Sequence, residues 1–405
     1  MNQSYCVLPW LGISVDPDGS VKPCCVSSDV IKKDDGTPYN LGKDTIDDIY
    51  NSKDFINMRE SMLAGDKIPS CDVCYNNEKN NGYSMRMRFN HRWQNLIFTS
   101  SIAETNIKYF DLRFGNLCNL KCRSCSPKNS SQIQKEFYEL ANTRISNYMS
   151  PGYDHDINEW YHTDIFDKNM DMQSENIEWF YITGGEPTLI EKNFEYLKKL
   201  IESGRSKYIT LSINTNMTNS KSKFYKLLKE FKTVVCSPSI DGYMDMQEYI
   251  RYPSNWDQIH ENFLKILGVG DNVLIYPSPV IQITNLGKIV ELFEYFESFN
   301  RSANRCAVDI APIILQHPDY LSVSCLPLDY KIKCWERIDE WIKTKCKYQG
   351  QIFHSRMNSL KNLCYQDTTN DKLIDYKTYN TILDDKRNQR LSDVNLELYN
   401  LIKHI

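Results

Sequence analysis

Three cysteines stand close together in "CNLKCRSC": Cys118, Cys122 and Cys125, at a C-x3-C-x2-C spacing. A closed structural zinc site takes four ligands, usually as two separated C-x2-C pairs. A ferredoxin cluster also takes four cysteines, in a different rhythm. Three thiolates on three irons of a cubane leave the fourth iron without a protein ligand, and an open metal position is where chemistry happens. A second constellation precedes this one. It comprises Cys6, then Gly19 and Cys24 at a G-x4-C spacing, then Cys71 and Cys74 as C-x2-C, with Cys25 as a spare beside Cys24. Four thiolates suit a four-cysteine zinc knuckle or an iron–sulfur cluster, because ligand softness does not separate the two. A third stretch is "GGEP", Gly184 to Pro187. Paired glycines let backbone approach a ligand closely, and Glu186 can accept hydrogen bonds from an ammonium group.

The elements that must position these residues follow from hydrophobic period. The middle third alternates short apolar runs with helical stretches, the pattern of βα units and a parallel sheet. KYFDLRF (108–114) runs into the cysteine loop, and IEWFYIT (177–183) ends in GGEP. YITLSI (208–213), TVVCSPSI (233–240), VLIYPSPVIQI (273–283) and AVDIAPIIL (307–315) complete six expected strands. Helices are expected at 221–231, 256–267 and 286–299, and NFEYLKKLIESG follows GGEP as another. Polar and small residues recur just after each strand, where a parallel β/α fold places its site. Two strands adjacent in sequence lie side by side in such a sheet, so GGEP is expected next to the cysteine loop. Before the barrel pattern, "ISVDPDGSVKPCC" reads as a β-hairpin around Asp-Pro-Asp-Gly. "MRMRFNHRW" reads as a helix linking this module to the barrel. Residues 316–405 are mostly amphipathic helix, clearest in WERIDEWIKTK. The insertion 126–174 is expected to be a helix followed by a surface loop. The remaining cysteines show no metal spacing and are expected to be packing.

Composition narrows the class. The chain has 405 residues, room for two or three domains, and a net charge of −4, which gives no reason to expect nucleic acid or membrane attraction. No apolar stretch approaches the roughly 20 residues that span a bilayer. The start lacks the basic and apolar regions of a signal peptide. Fourteen cysteines without an export signal point to reduced thiols and metal ligands rather than a disulfide frame. The expected location is the cytoplasm.

The cysteine loop after the first strand and GGEP after the second together resemble the radical SAM superfamily. The resemblance implies an α/β fold: a partial (β/α)6 barrel at 101–315, a small cysteine-rich module at 1–100 and a helical extension at 316–405. It implies that Cys118, Cys122 and Cys125 hold a [4Fe–4S] cluster whose fourth iron takes the amino and carboxylate groups of S-adenosylmethionine. Gly184, Gly185 and Glu186 would meet the methionine ammonium. Asn214, Ser237 and Ser239 would serve as ribose and carboxylate contacts, and Arg251 as a carboxylate partner. Reductive cleavage would yield a 5′-deoxyadenosyl radical that abstracts hydrogen from substrate, the chemistry being the cofactor's. An electron donor such as flavodoxin or ferredoxin is implied. The G-x4-C hairpin resembles the SPASM module or its one-cluster "twitch" form, here before the barrel rather than after it. That implies an auxiliary [4Fe–4S] cluster on Cys6, Cys24, Cys71 and Cys74, acting as an electron relay in an oxidation or rearrangement of a peptide or small molecule. Two other classes compete, an iron–sulfur electron carrier and a zinc-scaffold binding protein. GGEP and the incomplete ligand set at 118–125 disfavour the carrier.

Overall fold

The computed structural model of the chain describes residues 3–79, 82–141, 160–219, 223–365 and 372–405, with positions 145, 148 and 157. Part of the insertion expected at 126–174 therefore lies outside the described residues. The chain forms two compact units, residues 1–117, 154–214 and 223–235 in one and 118–153, 215–222 and 236–405 in the other.

Strands β1 (Gly12–Val15) and β2 (Val21–Lys22) form the expected hairpin, with Gly19 at φ +84° in its turn. β1 also pairs in parallel with β3 (Tyr109–Leu112), so the hairpin extends the barrel's own sheet rather than standing apart. With β4 (Trp179–Ile182), β5 (Thr210–Thr215), β6 (Thr233–Pro238) and β7 (Val273–Ile275) the strand order is β2-β1-β3-β4-β5-β6-β7, a sheet that is not closed. Ser14, Asp111, Tyr181 and Ser212 fall in one row of the parallel register, and Ile13, Phe110, Phe180 and Leu211 in the next.

That alternation divides the sheet's chemistry, since successive side chains point to opposite faces. One face is apolar throughout, with Phe110, Leu112, Phe180, Ile182 and Leu211 fully buried. Phe180 meets Tyr196 of the Glu191–Glu202 helix at 5.2 Å between rings. The other face carries Tyr109, Asp111, Trp179, Tyr181, Ser212 and Asn214. Helix Met85–Arg92 lies on it, with the Phe89 ring 4.6 Å from Tyr109 and 5.5 Å from Trp179. Arg88 and Arg92 stack over Trp179 at 4.6 and 4.5 Å. The linking role expected for MRMRFNHRW is thus carried by packing through Phe89 and cation–π contacts.

Two expectations change. The run 273–283 is not one regular strand: β7 ends at Ile275, and β8 (Val280–Ile281) pairs with β9 (Ile313–Ile314). Pro277 and Pro279 lack N–H donors, yet the carbonyls of Ile275, Pro277, Pro279 and Ile281 accept from the N–H groups of Asp309, Ala311, Ile313 and Leu315. Regular parallel pairing is confined to Val280–Ile281 with Ile313–Ile314. The insertion holds the expected helix at Ser131–Leu140, but Asp164–Gln173 is a second helix rather than surface loop, begun by Thr163, whose Oγ1 accepts from the Phe166 N–H. Just before it, Trp160 is buried and its indole donates to Pro17 O at 2.9 Å.

Candidate active site

The cysteine loop is held from within the second unit. Cys118, Leu120, Cys122 and Cys125 pack together, with Cys118 and Cys122 buried. Burial pushes the Cys122 thiol up while the Arg251 guanidinium lowers it. Burial and the neighbouring Cys122 and Cys118 push Cys125 well up. Backbone anchors fix the turn: Lys121 N–H donates to Tyr252 O at 2.5 Å and Arg123 N–H to Ile250 O at 2.8 Å. Ser130, which caps the Ser131–Leu140 helix, donates its hydroxyl to Leu120 O at 2.8 Å. Asn119 bonds Thr218 and Asn216 at 2.8 and 2.9 Å.

Arg123, between the second and third cysteines, is fully buried and points into the C-terminal helices. Its Nε donates to Tyr249 O at 3.0 Å, Nη1 to Asn380 Oδ1 at 2.7 Å, and Nη2 to Asp384 Oδ1 at 2.6 Å and Gln389 Oε1 at 3.0 Å. Its guanidinium stacks on the Tyr249 ring at 3.8 Å, and Tyr379 OH donates to Arg123 O at 2.8 Å. Nearby, Arg387 and Glu136 form an ion pair at 2.5 Å with both side chains 1% exposed. The helix Lys372–Arg387 thus grips the cysteine loop. Sequence reasoning missed this because an Arg inside the cysteine motif carries no mark of its distant partners.

In the first unit, the GGEP turn follows β4. Gly184 and Gly185 adopt φ of +82° and +55°, a region that disfavours side chains. A Cβ on Gly184 would lie 2.6 Å from Arg113 Cβ, and one on Gly185 would lie 2.3 Å from Leu117 O. Glu186 N–H donates to that same carbonyl at 2.8 Å. The turn is therefore built tightly against Asn116 and Leu117, the residues that lead into Cys118. Glu186 is buried, and its Oε1 accepts from Thr188 N–H at 3.1 Å and Oγ1 at 2.6 Å.

The N-terminal thiols also gather. Cys6 and Cys24 lie in a buried cluster with Tyr5, Trp10, Phe89, Tyr109 and Trp179, against which Cys71 packs. Burial first, then Cys24, Cys71 and Cys74, raise Cys6 well above its usual value. Burial and then Cys24 and Cys74 push Cys71 up to about 12, and burial dominates at Cys24, at about 11. Burial, then Asp111 and Cys24, push the Cys25 thiol well up, while Arg113 lowers it.

The other expected contacts have partners within their own units. Asn214 Nδ2 donates to Tyr181 OH at 2.8 Å, and Ser237 Oγ to Tyr276 O at 2.6 Å. Ser239 N–H donates to Thr215 O at 2.7 Å. Arg251 pairs through Nε with buried Asp241 at 2.7 Å and points Nη1 at Cys122 Sγ, 3.7 Å away.

None of the cysteines forms a disulfide, and among the described residues no group of three or more His, Cys, Asp or Glu converges on a single metal ion. The two thiol sets fit iron–sulfur ligation in donor chemistry. At the glycine turn an added side chain would collide with Arg113 and with the backbone of Asn116 and Leu117.

Comparison with known proteins bears on both sets. Residues 6–75 match the iron–sulfur cluster-binding domain SPASM, and residues 112–295 match the radical SAM superfamily. No curated protein matches the chain. Among solved structures, native anSMEcpe with bound AdoMet and Cp18Cys peptide is 16% identical, covering 60% of this chain and 62% of that one, at a TM-score of 0.36. This chain thus spans less than two thirds of that protein's length. Streptococcus suis SuiB bound to precursor peptide SuiA is 14% identical over 80% of this chain and 70% of that one, also at 0.36. TYW1 with a lysine-pyruvate adduct is 16% identical over 56% and 72%, at 0.30. Among the described residues no helix is long and apolar enough to cross a membrane.

Proposed function

We propose, from a chain that carries a radical SAM domain behind an N-terminal SPASM iron–sulfur domain, that the protein oxidises or rearranges a peptide or small-molecule substrate by radical hydrogen abstraction. A radical SAM domain uses a [4Fe–4S] cluster and S-adenosylmethionine, which together supply a 5′-deoxyadenosyl radical, and a SPASM domain adds an auxiliary cluster. Cys118, Cys122 and Cys125 would hold the first cluster and leave one iron open. Arg251 would place a cation and an N–H donor beside the Cys122 sulfur, the kind of surrounding contact that tunes a metal site. Gly184 and Gly185 would keep the cofactor's amino group close to backbone, with Glu186 as its acceptor. Asn214, Ser237 and Ser239 are the polar groups at the following strand ends for ribose and carboxylate.

Cys6, Cys24, Cys71 and Cys74 would fully ligate the auxiliary cluster, leaving no iron for substrate. Electron transfer is then its role, most simply accepting an electron as the substrate radical is oxidised, with flavodoxin or ferredoxin reducing the first cluster and the cytoplasm as the location. The observation that carries the reading is the incomplete C-x3-C-x2-C set combined with a glycine turn in which no side chain fits. The test is reconstitution under anaerobic conditions, where about eight irons and eight sulfides per chain are expected from two [4Fe–4S] clusters. Dithionite should then produce 5′-deoxyadenosine, and Ala at positions 118, 122 and 125 should abolish it. Near-stoichiometric zinc with about four irons would make the N-terminal set a knuckle. Wild-type cleavage by the triple variant would overturn the assignment.

A further inference from the structure

Arg251 caps the helix Asp245–Ile250 and reaches in two directions. Its Nε donates to Asp241 Oδ2 at 2.7 Å, while its Nη1 donates toward Cys122 Sγ at 3.7 Å. Asp241 is fully buried, and both of its carboxylate oxygens are used, since Oδ1 accepts from the Val280 N–H at 2.9 Å. Its backbone is pinned as well. The Asp241 N–H donates to Gln247 Oε1 at 2.8 Å, and Asn285 Nδ2 donates to Asp241 O at 2.8 Å. Gln247, also fully buried, joins the two ends of this frame, because its backbone carbonyl accepts from the Arg251 N–H at 2.8 Å.

An arginine side chain left to itself samples many rotamers. Here a buried carboxylate on a fixed backbone selects the one that ends at a thiol of the cysteine loop. Arg251 is also the largest influence opposing burial at Cys122. The family resemblance implies a different role for Arg251, as partner of the cofactor's carboxylate. The two roles make different demands, because only a donor to sulfur acts on the cluster when no cofactor is bound.

We propose that Asp241 is a positioning residue that holds Arg251 on the Cys122 sulfur, and that the donated N–H favours the reduced state of the cluster on Cys118, Cys122 and Cys125. The proposal deepens the functional reading above and rests on it for the presence of that cluster. Reduction adds one negative charge to the iron–sulfur core and its ligands. An N–H donor on a ligating sulfur stabilises that charge, and cluster potentials respond to such bonds. Asp241 and Arg251 carry opposite charges, so the pair adds almost no net charge beside the sulfur. Its influence is therefore directional, and it is lost when the donor turns away.

The test is a redox titration of the anaerobically reconstituted full chain, followed by electron paramagnetic resonance without S-adenosylmethionine. The signal that afterwards responds to added S-adenosylmethionine identifies the cluster in question. Asp241→Asn combined with Arg251→Met removes one charge of each sign together with the N–H donor. The reduction equilibrium constant of that cluster should fall about tenfold, the lower end for a hydrogen bond to a charged group. For one electron this is a potential about 59 mV lower. Should the double variant fail to fold or to load, the wild type decides. Arginine labelled with nitrogen-15 in its guanidino group alone should couple to the reduced cluster in pulsed resonance. Arg123, the other arginine of the loop, points its guanidinium at Asn380 and Asp384 instead. Asp241→Asn should weaken the coupling, because asparagine offers one acceptor oxygen where Asp241 uses two. An unchanged potential in the double variant, no nitrogen coupling in the wild type, or a coupling untouched by Asp241→Asn would overturn the proposal. An unchanged potential with weakened S-adenosylmethionine binding would return Arg251 to the cofactor's carboxylate. A wild type with no cluster that responds to S-adenosylmethionine would mark failure of the functional reading itself.

Discussion

Replacing Arg123 with Met tests whether the C-terminal helix is part of the cluster site. The substitution keeps an unbranched side chain but removes five hydrogen bonds and the stacking on Tyr249. It also strips Asp384 of its cation. Removing one partner of a buried ion pair costs about 3–5 kcal/mol. Asp384 keeps two other donors, Tyr249 OH at 3.1 Å and Leu391 N–H at 3.0 Å, so the lower end, about 3 kcal/mol, is expected. The effect should depend on pH. Burial already holds Asp384 above the usual carboxylate range, with Arg123 as the main opposing influence. Without Arg123 the folded-state value rises further. A carboxyl whose folded pKa exceeds its unfolded pKa binds protons better when folded. The variant's deficit should therefore grow as pH rises through that interval and shrink toward acid. Anaerobic denaturant unfolding at several pH values measures the stability, and iron per chain measures cluster retention. Iron should fall from about eight toward about four as the Cys118–Cys125 cluster is lost first. A loss below about 1 kcal/mol with full iron would refute the argument that this helix positions the loop.

Glu186→Ala should weaken S-adenosylmethionine binding roughly ten- to hundredfold, measured by equilibrium titration of the reconstituted protein, because a charge-assisted hydrogen bond is worth about 1.5–3 kcal/mol. Gly185→Ala should lower both cofactor binding, by the same titration, and iron content, since the added Cβ meets Leu117 O, next to Cys118, at 2.3 Å on a backbone with φ of +55°. Spectroscopy of the reduced protein should show Cys24→Ser losing the auxiliary cluster signal and Cys25→Ser keeping it; the reverse result would reassign the ligand.

The hairpin shows where local reading ends. Asp-Pro-Asp-Gly specifies the turn, because the residues that make it are adjacent in the chain. Pairing of β1 with β3, nearly a hundred residues away, depends on which sheet edge is exposed. The same holds for Pro277 and Pro279. Strand-like composition is visible in the run 273–283, while the bonds to 309–315 appear only when the partner carbonyls and amides are in place. The second helix of the insertion was legible in principle from the Thr163 cap. Without a strong apolar period, that cap alone carries little weight.

What could be read along the chain was the chemistry: thiol spacing, a glycine pair before an acid, and six apolar runs that end in polar residues. Each of these is a short-range pattern of residue types, and residue type sets what an atom can ligate or donate. Folding chose which groups are partners. Arg123 meets Asp384 across 261 positions, and Arg113 shares Asp16 and Asp111. Cys24 acts on Cys6 and Cys71, while Asp111 is the charged group that acts most on its neighbour Cys25. Burial gives those encounters their energy, because a charge or thiol withdrawn from water is governed by the few groups folding brings to it. No spacing along the chain encodes which groups those are.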